Sequence, residues 1–241
     1  MLASDFFRAV KGRLIVSCQA LPGTPLHHPA IIAAIALSVE QGGASALRIN
    51  SAENIREVRR FSSLPVIGIG KGTDRSQIYI TPDFDTAKEL AEAGADVVAI
   101  QATEPRNGRC DPLRELIGRI HAELGVAVMA DVSTVGEGEK AMAAGADMVA
   151  TTLSGYTPQS PRQKEPDLEL VRALSAKGFP VIAEGRYRTP EQVIQALNFG
   201  AISVVMGTFI TMPDRITRFI VSYLDDYYRG VGKNQDDLSR G

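Results

Sequence analysis

Two stretches of this sequence run from an apolar strand directly into a charged residue. "LPVIGIGKG" carries Val66, Ile67 and Ile69 into Lys71, and "FPVIAEGR" carries Val181 and Ile182 into Glu184. A strand apolar on both faces is covered on both sides. A lysine and a glutamate at such strand ends therefore leave the packed interior where a ligand would sit. A lysine there can take a proton or attack a carbonyl, and a glutamate can give or take a proton. Each residue also has a plainer reading. Taken alone, Lys71 is a solvated loop lysine, while Asp131 and Glu184 are structural partners of Arg48 or Arg186. "GIGKGT" is not a nucleotide-phosphate loop: Gly72 separates Lys71 from Thr73, and Pro65 stands where that loop needs its first glycine.

The elements that must position these residues follow from an internal repeat. "QGGASALRI", "EAGADVVAI", "AAGADMVAT" and "NFGAISVVM" each close a helical pattern with Gly-Ala and pass into a short apolar run, with Gly43, Gly94, Gly145 and Gly200 spaced by 51, 51 and 55 residues. A glycine just past a helix end tolerates positive φ and caps the helix. "RLIVSC", "PVIGIG", "VAVMAD" and "PVIAEG" fall between them, which makes eight strand candidates separated by helical patterns. Thr134 with Glu137, and Thr189-Pro190 with Gln192, are helix-start signatures. Strands alternating with helices pair in parallel through right-handed crossovers. The expectation is a single α/β domain over residues 1–229, a (β/α)8 TIM barrel, with a doubly wound open sheet as the alternative. Phe6 to Val10 is expected as a short helix closing the barrel bottom, and residues 230–241 as a polar, frayed tail.

In such barrels chemistry lies at the C-terminal strand ends. Those ends carry Gln19, Arg48, Lys71, Gln101, Asp131, Thr151 with Thr152, Glu184, and Gly207 with Thr208. A ring of polar residues there points to a polar ligand. Gly185-Arg186 and Gly207-Thr208 fall after strands seven and eight, where barrels often bind phosphate. "TTLSGYTP" offers hydroxyls and backbone amides to an oxygen-rich ligand. His27 and His28 are adjacent and His121 is remote, so no metal site is expected. Two cysteines, Cys18 and Cys110, without ligand spacing argue for a reducing, cytoplasmic setting. A formal charge of −2 gives no basic surface for nucleic acid. The longest apolar block, "AIIAAIALSV", is too short to span a bilayer.

"LIVSCQAL", "QGGASALRINS", "IGIGK…IYITP", "MADVST", "TTLSGYTP" and "EGRYRTPEQ" together resemble the N-acetylmannosamine-6-phosphate 2-epimerase family, from about Gly12 to Thr217. The resemblance implies a (β/α)8 barrel that needs neither metal nor cofactor. It also implies interconversion of N-acetylmannosamine 6-phosphate and N-acetylglucosamine 6-phosphate during sialic acid breakdown. A homodimer acting on a small amino-sugar phosphate is the expected form. Lys71 matches the family's catalytic lysine and Glu184 its catalytic glutamate. Gln19, Arg48 and Asp131 match substrate contacts, with Gln101 and Thr152 beside them. Gly185, Arg186, Gly207 and Thr208 match the phosphate loops. Three positions depart from the family pattern. Lys71-Gly72 replaces Lys-Arg, Gln101-Ala102-Thr103 replaces Asp-Ala-Thr, and Ile210-Thr211-Met212 replaces Ile-Thr-Arg, with Arg215 as a substitute cation.

Epimerisation at carbon 2 of an opened sugar needs a base, a proton source and stabilisation of the enolate. A lysine is a base only when neutral. Lys71 and Glu184 fit the proton-transfer roles, and Arg48 with Gln19 suits the developing oxyanion. Two other readings use the same barrel: a Schiff-base lyase with Lys71 as nucleophile, and a catalytically silent sugar-phosphate-binding protein.

Overall fold

The computed structural model describes residues 1–72, 74, 76–106 and 110–238, with side chains as far as Arg229. Within it, the four repeat glycines do one job. Gly43, Gly94, Gly145 and Gly200 have φ of 96°, 107°, 107° and 99°, the left-handed region that side chains resist. Each stops a helix and turns the chain into the next strand. The alanine that follows (Ala44, Ala95, Ala146 and Ala201) is buried in each case.

In chain order the elements are α1 (Ala3–Val10), β1 (Leu14–Cys18), α2 (Pro29–Gln41), β2 (Ala46–Asn50), α3 (Ala52–Arg59), β3 (Val66–Ile69), α4 (Phe84–Glu92), β4 (Val97–Gln101) and α5 (Leu113–Arg119). A π-helical turn (Ile120–Leu124) extends α5. Then come β5 (Ala127–Asp131), α6 (Val135–Ala144), β6 (Met148–Ala150), α7 (Leu168–Ala176), β7 (Val181–Glu184), α8 (Pro190–Asn198), β8 (Ser203–Met206), α9 (Thr208–Thr211) and α10 (Pro213–Leu238). All eight strands are parallel and close into a barrel, with Ile15 of β1 opposite Val205 of β8. This is the (β/α)8 barrel that the repeat implies, and the open sheet is excluded.

Alternation along each strand divides the core in two. Ile15, Ala46, Ile67, Ile69, Val97, Met129, Met148, Ile182 and Val205 fill the barrel. Val16, Leu47, Val66, Val98, Val128 and Val181 face the helices. Phe6 and Val10 of α1 join the inner cluster, so α1 closes the barrel as expected. Cys18 lies in the outer layer, and burial pushes its thiol up to about 12. Both expected capping boxes form, at Thr134 with Glu137 and at Thr189 with Gln192. His28 caps α2, its Nδ1 accepting from the amide of Ala30 at 3.3 Å. Asp147, in the third repeat, accepts from Val128 N at 2.7 Å and pairs with His121 at 2.8 Å.

The last helix behaves differently from the others. Its packing partner is α9, and Ile220, Tyr223, Leu224, Tyr227 and Tyr228 along it are exposed. It runs through residue 230 to Leu238, across the boundary that composition suggests for a tail. Residues 239–241 lie outside the described residues.

Candidate active site

The strand ends converge on one mouth. Glu184 ends β7, Asp131 ends β5, and Lys71 follows β3 through Gly70. Arg48 is not at its strand end, as the apolar run suggested. It is the third residue of β2, which continues to Asn50. It therefore projects into the barrel below the rim and is 1% exposed.

A buried guanidinium must be paired, and Arg48 has two carboxylates. Its Nη1 and Nη2 donate to Asp131 Oδ1 and Oδ2 at 3.1 and 2.5 Å, and Nη1 also donates to Glu184 Oε2 at 2.6 Å. Its Nε has no hydrogen-bond partner among the described residues. Thr152 stands among these groups, its Oγ1 2.7 Å from Asp131 Oδ1 and 3.1 Å from Glu184 Oε2. Asp131 is fully buried, while the Glu184 side chain is 14% exposed and opens to the mouth. Burial opposes the charge of Arg48, but Asp131 and Glu184 outweigh it and hold the guanidinium protonated. Burial pushes the Glu184 carboxyl above the usual carboxylate range. Asp131 adds to that shift, and Arg48, Thr152 and Lys71 oppose it.

Lys71 sits on a strap that the sequence did not reveal. Lys71 bridges Ile80 in antiparallel fashion, Gly72 N donates to Tyr79 O at 2.7 Å, and Thr81 N donates to Gly70 O at 2.7 Å. Asn50 Oδ1 accepts from Lys71 N at 3.0 Å. The glycine before the lysine has a packing reason. A Cβ on Gly70 would lie 2.3 Å from Thr86 Cγ2, so α4 could not approach β3. The Lys71 amine donates to Gln19 Oε1 at 2.6 Å, and Gln19 Nε2 donates to Ser17 Oγ at 2.6 Å. Gln19 thus offers the lysine an acceptor, where an oxyanion contact was expected. The donors of Arg48 likewise go largely to carboxylates.

Gln101 is tied to the strap as well. Its Oε1 accepts from Tyr79 N and Ile80 N at 3.0 and 3.3 Å, and its Nε2 donates to Thr103 at 2.8 Å. With the residue buried, this amide braces the lysine strap. Arg186, with φ 64° beside Gly185 at 112°, donates to Ser154 O at 2.7 Å and Glu165 O at 2.8 Å. It ties the loop after β6 to the loop after β7. Gly207 opens α9 at Thr208, and a Cβ there would press on Ser17 at 3.2 Å. Met212 and Arg215 line one small cleft with Gln19. Among the described residues, no cluster of His, Cys, Asp and Glu could hold a metal ion. No described helix is long and apolar enough to cross a membrane.

Of the parts that sequence reasoning missed, Asn50 and Ser17 act through single side-chain hydrogen bonds from strands β2 and β1, and the Tyr79–Thr81 strap pairs outside the named strands. The one available signal was Asn50, polar at the end of an apolar strand.

Residues 32–225 match the family model described as "NanE: Putative N-acetylmannosamine-6-phosphate epimerase". The chain belongs to this family. An epimerase-family relative from Caldanaerobacter subterraneus, named "Putative N-acetylmannosamine-6-phosphate 2-epimerase", is 44% identical over 225 residues, 92% of this chain and 95% of that protein. The "Bifunctional enzyme NanE/NanK" of Brucella melitensis is 44% identical over 217 residues. That is 90% of this chain, which spans 41% of the Brucella protein. The solved structure of the Clostridium perfringens N-acetylmannosamine-6-phosphate 2-epimerase superposes with a TM-score of 0.87 at 40% identity, covering 90% of this chain and 96% of that one. Thermotoga maritima FabK, at 19% identity and a TM-score of 0.57, shares the fold alone.

Proposed function

We propose that this chain is a carbohydrate epimerase, an N-acylglucosamine-6-phosphate 2-epimerase. It interconverts N-acetylmannosamine 6-phosphate and N-acetylglucosamine 6-phosphate by removing and returning the carbon 2 proton, in amino-sugar catabolism in the cytoplasm. The observation that carries this reading is the pairing at one mouth of a strap-held lysine with a glutamate whose carboxyl burial pushes above the usual carboxylate range. The relatives' names supply the substrate.

The residues divide the work as follows. After ring opening, Lys71 in its deprotonated form takes the carbon 2 proton and becomes an ammonium, the form in which it opposes the Glu184 shift. Protonated Glu184 returns a proton to the opposite face and becomes a carboxylate. The reverse reaction runs from that charged pair, so the protons balance in both directions. Arg48, already positive and fixed by Asp131, stabilises the carboxylate and the enolate through its field without reorganising. Gly185, Arg186, Gly207 and Thr208 are assigned to the phosphate, and no cofactor or metal enters a step. The test is to incubate each amino-sugar phosphate in D2O and follow carbon 2 by NMR. Epimerisation with deuterium at carbon 2 supports the reading. Binding without exchange would mark a silent sensor, and borohydride trapping of substrate on Lys71 would mark a Schiff-base lyase.

We propose further that the working form is a homodimer. The apolar residues along α10 and an apolar groove of about 390 Å³ lined by Leu26, Ile31, Ile35, Val39, Ile210 and Pro213 suit a second copy. In a two-fold pair each helix enters the other's groove, burying both surfaces twice. Light scattering reads this: the parent protein should be a dimer, and Leu224→Glu should shift it toward monomer. A monomeric parent protein would end the proposal.

A further inference from the structure

Thr152 follows β6 and stands between the two carboxylates. Its Oγ1 is 2.7 Å from Asp131 Oδ1, 3.1 Å from Glu184 Oε2 and 3.5 Å from Arg48 Nη1. A hydroxyl has one proton to donate and two lone pairs, so the two carboxylate oxygens cannot both receive it. With Glu184 Oε2 protonated, that proton goes to Thr152 Oγ1 and the threonine proton goes to Asp131 Oδ1, so the hydroxyl accepts from one acid and donates to the other. With Glu184 ionised, the threonine proton turns to Oε2, which Arg48 Nη1 already holds at 2.6 Å. Asp131 loses nothing essential, because both arginine nitrogens remain on it at 3.1 and 2.5 Å. No heavy atom need move. The charged groups facing Glu184 are Arg48 from β2, Asp131 from β5 and Lys71 after β3. Among Arg48, Asp131 and Thr152, the threonine hydroxyl is the group that can donate to either carboxylate by rotation alone.

We propose that Thr152 is a positioning residue whose single hydroxyl proton turns between Asp131 and Glu184 as Glu184 loses and gains its own. Its sequence position suggests a substrate contact, and the geometry places its hydroxyl on both acids. The kinetic part of this inference rests on the epimerase reading, while its titration part needs no turnover.

The test uses Thr152→Val, which keeps the shape and removes the hydroxyl, and Thr152→Ser, which keeps the hydroxyl and removes the methyl. The Glu184 carboxyl is titrated by carbon-13 NMR in the full-length protein without substrate. In Thr152→Val the ionised carboxylate loses a charge-assisted donor while the neutral carboxyl loses only a weaker acceptor, so Glu184 should titrate at higher pH than in the parent protein. In Thr152→Ser it should titrate as in the parent protein. The value of kcat should fall about tenfold to hundredfold in Val, the worth of one hydrogen bond to a charged group. The serine variant should retain most of it, with KM little changed in both. If valine crowds the site and the protein fails to fold, Thr152→Ala, which only deletes atoms, carries the same expectation. An unshifted Glu184 titration in the hydroxyl-free variant would overturn the proposal, and so would a serine variant shifted as far as valine. A parent protein without epimerase activity whose Thr152→Val titration still shifts would defeat the functional reading and leave this one standing.

Discussion

Arg48 and Glu184 form a lopsided pair: the guanidinium lies 2.6 Å from Glu184 Oε2 but is already held by both oxygens of Asp131. One cation thus serves two acids. The second acid is favoured as the neutral, proton-holding form by burial, in spite of the arginine.

That arrangement fixes a sign for stability against pH. Glu184 binds its proton more tightly in the folded protein than in the unfolded chain. Its favourable contribution is therefore full below the ordinary carboxylate range and is lost as pH rises through the raised folded value. Glu184→Gln mimics the protonated form at every pH. It should melt above the parent protein at pH 7 to 8, with the gap narrowing on acidification, while epimerisation falls severely. Thermal melts across pH check this. A parent protein more stable than Glu184→Gln at neutral pH would mean that the ionised pair is net stabilising.

Asp131 is the structural half of the pair. Asp131→Ala leaves a buried guanidinium with one partner, at a cost of about 3–5 kcal/mol. Urea unfolding should register it. A loss under about 1 kcal/mol would show that Glu184 alone satisfies the arginine.

Gln101 separates a brace from a ligand. Gln101→Met strands the amides of Tyr79 and Ile80, which should cost about 1–3 kcal/mol and lower kcat by loosening the lysine strap. Unchanged stability with a raised KM would instead identify Gln101 as a substrate contact.

The phosphate is expected to carry much of the binding. Each hydrogen bond to a charged group is worth about 1.5–3 kcal/mol. Unphosphorylated N-acetylmannosamine should therefore have kcat/KM at least about a hundredfold lower than its 6-phosphate. Equal values would remove the phosphate assignment from Gly185, Arg186, Gly207 and Thr208.

The barrel was legible because its signals are local and repeated. Gly43, Gly94, Gly145 and Gly200 each stop a helix by positive φ, and Thr134 and Thr189 each start one. Lys71, Asp131 and Glu184 were legible because charge at the end of an apolar strand has few structural excuses. Arg48 was misplaced by two residues because an inward residue near a barrel rim and a strand-end residue look alike in sequence. The duties of Gln101 and Arg186 were not legible. A glutamine that braces Tyr79 and an arginine that grips Ser154 O use the same donors and acceptors a sugar phosphate would, and only coordinates show where those point. The course of α10 was not legible either, since its apolar residues fit packing on the barrel as well as exposure.

The most direct measurement is deuterium exchange at carbon 2 in Lys71→Met. Methionine keeps most of the stem volume and adds no unpaired charge, and the strap is held by backbone bonds to Asn50, Tyr79 and Gly70 that the substitution leaves in place. The variant should fold and bind the sugar phosphate. It should lose about 10²- to 10⁴-fold in exchange and epimerisation, the contribution of a general base. A folded Lys71→Met protein that exchanges the carbon 2 proton at nearly the parent rate would contradict the account, because proton removal would then belong to another group.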